Sequence, residues 1–250
     1  MAYIVLDLEW NQPPMGESIA SETEDSPRLR GEIIQIGAVR LNETWEIDGS
    51  FEMLVRPIRY TKMNPKVRQI TGIDNEALLT GKSFPEALAA FTEFCGENCR
   101  LITWGRDDIH ILKDNLALHG IAPEEIAPCY NAQWIYGRQI AKSKKQVSLS
   151  DAVAFLGEPE YQAHDALNDA RSTALVCRHL NMEAGIAEIT SGTGKKKKHY
   201  RPRHRRGEKP SVGAEKRAQS SVAAEKRPPA GYHRPRRRKP RQTPEKKSES

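Results

Sequence analysis

The chain contains no apolar run approaching the roughly 18 residues that a membrane-spanning helix requires. Its opening, Met1–Trp10, has no basic residue ahead of the apolar stretch and carries Asp7 and Glu9 inside it. No secretory signal is read there, and a cytoplasmic setting is expected. Cysteine is scarce, with four in 250 residues. In a reducing compartment Cys95, Cys99, Cys129 and Cys177 are expected as free thiols. Cys95 and Cys99 have a CxxxC spacing, but no second Cys/His pair follows to complete a zinc site. From Thr190 onward Leu, Ile, Phe, Trp, Met and Cys are all missing. That segment cannot offset its chain entropy by burying apolar surface, so it is expected to be disordered.

Charge divides the chain at the same place. Residues 1–189 hold 18 Lys and Arg against 28 Asp and Glu, a net of −10. Residues 190–250 hold 21 against 5, a net of +16. The expected organisation is therefore a folded domain over 1–185 and a basic tail over 190–250. The tail repeats itself: SVGAEKR at 211–217 returns as SVAAEKR at 221–227, and RPRHRR at 201–206 is echoed by RPRRR at 234–238. Units so short and polar do not stack into a solenoid. They read as a contact unit on a flexible arm. Lys195, Lys196, Lys197, Lys198, Arg201, Arg203, Arg205 and Arg206 form one cluster, and Arg234, Arg236, Arg237, Arg238 and Lys239 another. Such clusters neutralise phosphates with little sequence preference. A solubilising role, or binding to the acidic body, is the alternative.

The body alternates. Tyr3–Glu9 reads as a buried strand, Glu32–Leu41 as a second and Thr44–Val55 as a third, with Asp48-Gly49 as a turn or bulge signal. The three form an antiparallel meander. The polar, Pro-containing stretch Asn11–Arg30 is a long loop beside the first strand. Helices are expected from Asn64-Pro65 to Ile70, over Ser83–Phe94, Asp107–His119 and Leu149–Leu156, and over Ala166–Met182, with a short strand at Leu101–Trp104. This order makes a mixed α/β sheet flanked by helices.

Three features carry chemistry. Asp7 and Glu9, two apart on a strand, share one face. Unpaired and buried they would be very costly, and a divalent cation removes that cost. The apolar flanks Ile4, Val5, Leu6 and Leu8 argue against a solvated edge strand. Next, Asp107 or Asp108 opens a helix straight after a strand, and either could serve only as a cap. Last, in Ala163-His164-Asp165-Ala166-Leu167-Asn168-Asp169-Ala170, Asp165 is a plausible N-cap. The small Ala166 and Ala170 let this face of the helix approach the sheet.

These residues resemble the DEDDh 3′→5′ exonucleases, the DnaQ-like group with a ribonuclease H-like fold. Glu32–Val39, Arg56-Pro57 and Ile70-Thr-Gly-Ile73 are similar to the family's second strand and later segments. Thr103-Trp-Gly-x-x-Asp108 looks like the ERI-type RNA exonuclease branch and favours Asp108 over Asp107. Gln35 departs from the pattern, standing where relatives often have Glu. So do Asn131 and Gln133, in a region where many relatives carry Asp. The resemblance implies a ribonuclease H-like five-stranded mixed sheet. It implies two Mg²⁺ or Mn²⁺ ions held by Asp7, Glu9, Asp108 and Asp169, with His164 as general base. Trp10, Asn11 and Gln12 would meet the terminal nucleotide, with Trp104 as a further stacking candidate. The implied substrate is single-stranded nucleic acid, RNA favoured over DNA. The rivals are a DNA proofreading or repair exonuclease, and a non-catalytic RNA- or ribosome-binding protein. With this division of labour, deleting residues 190–250 is expected to weaken strand binding and flatten its salt dependence. Binding titrations across a salt series check this, and equal affinity and slope for both chains would refute it.

Overall fold

The structure, a computed structural model, describes residues 2–13, 29–123 and 126–192. The basic clusters from Lys195 onward, and most of the loop between Asn11 and Arg30, lie outside the described residues. Strands β1 (Tyr3–Asn11), β2 (Glu32–Leu41) and β3 (Ile47–Leu54) form the antiparallel meander that the pattern predicts. Strand β4 (Arg100–Thr103) runs parallel to β1, and β5 (Cys129–Asn131) parallel to β4. The sheet order is β3-β2-β1-β4-β5. No helix among the described residues is long and apolar enough to cross a membrane.

Alternation divides β1 between two cores. Ile4, Leu6 and Leu8 face one, which is filled by α3 (Phe84–Cys95) and α4 (Asp107–Leu118). Val5 faces the other, with α5 (Ala132–Gln139), α6 (Leu149–Leu156), α7 (Ala166–Arg178) and α8 (Met182–Ser191). A third cluster joins Ile34 to Val67 of α1 (Pro65–Thr71) and Leu78 of α2 (Asn75–Thr80). Local chemistry sets the helix ends. Asn64 caps α1 by accepting from the Lys66 N–H at 2.9 Å, and Gly72 ends it at φ 74°. Ser83 and Glu86 form a capping box on α3.

Several boundaries differ from expectation. β3 begins at Ile47 because the Asn42 side chain accepts the N–H groups of Thr44 and Glu46, closing a turn through Trp45 at φ 63°. Asp48 then sits at a register shift inside β3, between Gly49 and Ile47. The helix expected over Ala166–Met182 stops at Arg178, and Asn181 starts α8 by accepting from the Ala184 N–H. No Gly or Pro marks that break, so one periodicity runs through both helices. α8 continues to Ser191, past the boundary expected at 185 and into the segment assigned to the tail. β5 has only three residues, too few to show a period of two.

One contact positions everything downstream. α7 crosses β2 and β1 at Gly37, where a Cβ would lie 2.1 Å from the Ala166 carbonyl carbon and 2.2 Å from the Leu167 nitrogen. Backbone fills the space that any side chain would need. Gly37 is the register partner of Asp7. Gly37→Ala is therefore expected to destabilise the protein by about 3 kcal/mol or more, because the clash is with backbone rather than a yielding side chain. A denaturant midpoint close to the parent's would contradict this.

Candidate active site

Asp7 and Glu9 project from β1 on the face that meets α7, between residues of the opposite core. Just beyond Glu9 the β1–β2 register shifts: Glu9 pairs with Gln35, but Trp10 pairs with Ile33. Ile34 is the extra residue, and such bulges re-aim neighbouring side chains.

β4 ends at Thr103, whose hydroxyl donates to the Gly105 carbonyl at 3.0 Å. Gly105, at φ 110°, turns the chain into α4. Asp107 points to solvent, whereas Asp108 is only 6% exposed. The Asp108 carboxylate accepts the N–H of Leu8 at 3.2 Å, midway between Asp7 and Glu9. Burial and this bond decide which of the two acids belongs to the cluster.

Asp165 caps α7 by accepting from the Asn168 N–H at 2.9 Å. Gln35 ties that cap to the sheet. Its amide nitrogen donates to Asp165 and to Glu52, and its oxygen accepts from the Ala166 N–H. His164 precedes the cap at φ 64°, a left-handed conformation that costs a non-glycine residue roughly 1–2 kcal/mol. Its N–H donates to Asp169 at 3.1 Å, which helps hold it there. One ligand atom each from Glu9, His164 and Asp169 lies within 4.8 Å of the others.

The electrostatics follow from crowding. Burial, then the charges of Asp108, Asp169, Glu9 and Asp165, hold the Asp7 carboxyl well above the usual carboxylate range. Glu9 is pushed up to about 8, by burial first and then by Asp169 and Asp108. Asp108 rises to about 7, chiefly through burial and against its backbone hydrogen bonds. Asp169 is raised by burial, with the N–H and ring of His164 opposing.

The residues expected to meet a terminal nucleotide separate. Asn11 is fully buried. Its amide nitrogen donates to the Tyr60 and Lys62 carbonyls at 2.7 and 2.8 Å, and its oxygen accepts from Asn64 and Gln12 at 2.9 and 3.0 Å. Its polar groups are committed, so Asn11 shapes the site's rim instead of reaching into it. Trp10 is half-buried against Gly31, where a Cβ would lie 2.2 Å from the indole, and Gln12 is exposed. Trp104 is also held: its Nε1 donates to the Val147 carbonyl at 3.2 Å, and its ring packs against Tyr136.

Sequence reasoning missed Glu32. It is 2% exposed and accepts the N–H groups of Ile58, Arg59 and Tyr60 at 2.5, 2.9 and 2.6 Å. Glu32 pairs with Asn11 in register, so together they fasten segment 58–64 beside the end of β1. The available signal was an acid opening an otherwise apolar strand.

The family model of the RNase_T exonucleases matches residues 22–177. Asp108, His164 and Asp169 fall within that span, and Asp7 and Glu9 just ahead of it. The 3′-5′ exonuclease Snipper of Drosophila melanogaster is 26% identical over 201 residues, covering 70% of each chain. Among solved structures, the nuclease domain of 3′hExo, a DEDDh family member bound to rAMP, superposes with a TM-score of 0.62 at 22% identity, over 74% of this chain and 93% of that one. Cell-death related nuclease 4 superposes with a TM-score of 0.57 at 20% identity, over 76% and 64%. With a buried carboxylate cluster on a ribonuclease H-like sheet, the chain belongs to the RNase_T exonuclease family, and its fold is that of the DEDDh-type, DnaQ-like 3′→5′ exonucleases.

Proposed function

We propose that the protein removes nucleoside 5′-monophosphates from the 3′ end of single-stranded RNA or short oligonucleotides, using two divalent ions. The carrying observation is the convergence of Asp7, Glu9, Asp108, Asp169 and His164 on one face of β1. The donor set fits such ions. It consists of hard carboxylate oxygens, partly or wholly buried, whose mutual repulsion is opposed by hydrogen bonds at Asp108 and Asp169 and by the ring of His164. In this reading Asp7, Glu9, Asp108 and Asp169 hold Mg²⁺ or Mn²⁺, which when bound stabilise charge on the attacking and leaving oxygens.

The chain's own residues do the rest. Exposed His164 takes the proton of the attacking water, since an imidazole nitrogen can accept one. The 3′ oxygen of the penultimate nucleotide then leaves, giving a shortened strand and a 5′-monophosphate. Half-buried Trp10 and exposed Gln12 line the approach of the terminal nucleotide. The Thr103-Trp104-Gly105 turn, and the likeness to a structure bound to rAMP, support RNA over DNA. The basic tail supplies long-range attraction that an acidic body lacks. The four cysteines are free, which supports a reducing, cytoplasmic setting.

Linkage gives a test that needs no turnover. A carboxyl whose folded pKa lies above its unfolded value, near 4, stabilises the fold at low pH. It loses that contribution as pH rises through the folded value, here about 7 for Asp108 and about 8 for Glu9. The metal-free protein is therefore expected to lose thermal stability from pH 5 to 8.5. Added Mg²⁺ or Mn²⁺ should raise Tm most at the alkaline end, and Glu9→Gln should flatten the metal-free decline. A Tm unchanged by pH and by metal would contradict this balance.

Activity is read on 5′-labelled RNA and DNA of one sequence. Asp7→Asn and Asp108→Asn are expected to lower kcat to about a thousandth or less, and His164→Ala by about 100- to 10,000-fold. Asp107→Asn should stay within about twofold of the parent. Equal losses for Asp107→Asn and Asp108→Asn would remove Asp108 from the assigned set. Faster shortening of DNA would overturn the RNA preference.

A further inference from the structure

An acidic body leaves one concave surface strongly basic. From Ile126 to Ser150 the chain has no Asp or Glu, while Arg138, Lys142, Lys144 and Lys145 fall in that stretch. The structure folds part of it into the wall of a groove of about 740 Å³, lined by Arg106, Trp134, Arg138, Lys144 and Lys145 and by no acidic side chain among the described residues. Arg138 lies over the Trp134 ring at 5.6 Å and shares its charge with Glu188. Among the described residues no ion pair engages Arg106, Lys144 or Lys145.

The wall is built, not incidental. The Val147 carbonyl accepts from Trp104 Nε1 at 3.2 Å and from Gln133 Nε2 at 2.9 Å. The Ser143 N–H donates to the Gly137 carbonyl at 3.1 Å, and the Lys145 N–H to the Ser143 hydroxyl at 3.0 Å. These bonds fasten the lysine-bearing segment to the turn that leaves β4. Arg106 is the N-cap residue of α4, two positions before Asp108. Arg106 thus ties the groove to the start of the helix that carries Asp108, and Asn131 at the end of β5 lines it as well.

We propose that this groove holds the phosphodiester backbone of the substrate strand, on the 5′ side of the nucleotide being removed. The proposal rests on the exonuclease reading for its direction, and on the groove's own charge for its ligand. A lining with several basic side chains and no acid among the described residues calls for a polyanionic occupant. A strand anchored at its 3′ end in the carboxylate cluster brings successive phosphates past Arg106 towards Lys144 and Lys145. The groove would make the enzyme favour strands longer than the few nucleotides the cluster itself can touch.

The test uses the full chain with Lys144→Glu/Lys145→Glu, both in a surface segment. Lys82→Glu/Arg178→Glu, at exposed sites elsewhere, makes the same change in net charge. The kcat/KM ratio of a single-stranded 12-mer to a dinucleotide is expected to fall at least about tenfold in the groove variant. Its salt slope should be shallower by about 1.4, from two lost contacts at about 0.7 each. A ratio and slope equal to the parent's, or an equal fall in the control, would overturn the proposal. Binding of the 12-mer in EDTA, read by fluorescence anisotropy, tests the groove without chemistry. There the Kd should rise at least about tenfold in the groove variant alone, and an unchanged Kd would equally overturn it. Failure of the exonuclease reading would look different: the parent protein itself would shorten neither substrate.

Discussion

The structure depends on holding four carboxylates closer together than their charges favour. Each is raised by burial, and most are raised further by one another. A chain does not adopt that arrangement unless other contacts outweigh it. Three contacts do so here, and each belongs to a different element. The Leu8 N–H fixes Asp108 against β1. The missing side chain at Gly37 lets the start of α7 rest on β2 opposite Asp7. The His164 N–H, from a backbone in the left-handed region, fixes Asp169. Two large apolar cores, one on each face of β1, supply the stabilisation that this frame needs.

Charge is distributed on three scales. At the centre the acids are crowded enough that burial and mutual repulsion raise their carboxyls. Around them the body is acidic overall, which by itself would repel a polyanionic substrate. Under the proposed function, the groove and the basic tail would reverse that repulsion at short and long range. Screening separates these scales. Interactions beyond about 10 Å weaken strongly at moderate ionic strength, while those within a groove persist. In this scheme the tail governs encounter and the groove governs register.

Four of the five strands, the caps at Asn64 and Asp165 and the paired acids of β1 were legible because each leaves a local signature. Alternation put Asp7 and Glu9 on one face, Asp165 announced the start of α7, and Asn64-Pro65 that of α1. What remained hidden was set by distant partners. Nothing near Glu32 says that its carboxylate will gather three N–H groups from residues 58–60. Asn11 sits among residues that flank the site, yet a segment some fifty positions away consumes its amide. Spacing alone left Asp107 and Asp108 open; the family resemblance favoured Asp108, and it is Asp108 that the fold buries against β1. The break between α7 and α8 carries no Gly or Pro. The basic groove is dispersed over Arg106, Arg138, Lys144 and Lys145, and only folding gathers it.

Gln35 shows how a departure from a family pattern becomes readable once its neighbours are known. It pairs in register with Glu9, and its amide nitrogen lies against two carboxylates, Glu52 and Asp165. A glutamate at this position could donate to neither, and it would add a further negative charge beside an already crowded cluster. The amide instead donates to both acids and still accepts from the Ala166 N–H at the first turn of α7. The need for a donor between two carboxylates also fixes which way the amide points. With Glu52 on one side and Asp165 on the other, glutamine is the side chain of that size that satisfies all three partners. It holds the α7 cap, and so His164 and Asp169, without adding to the charge that those residues must withstand.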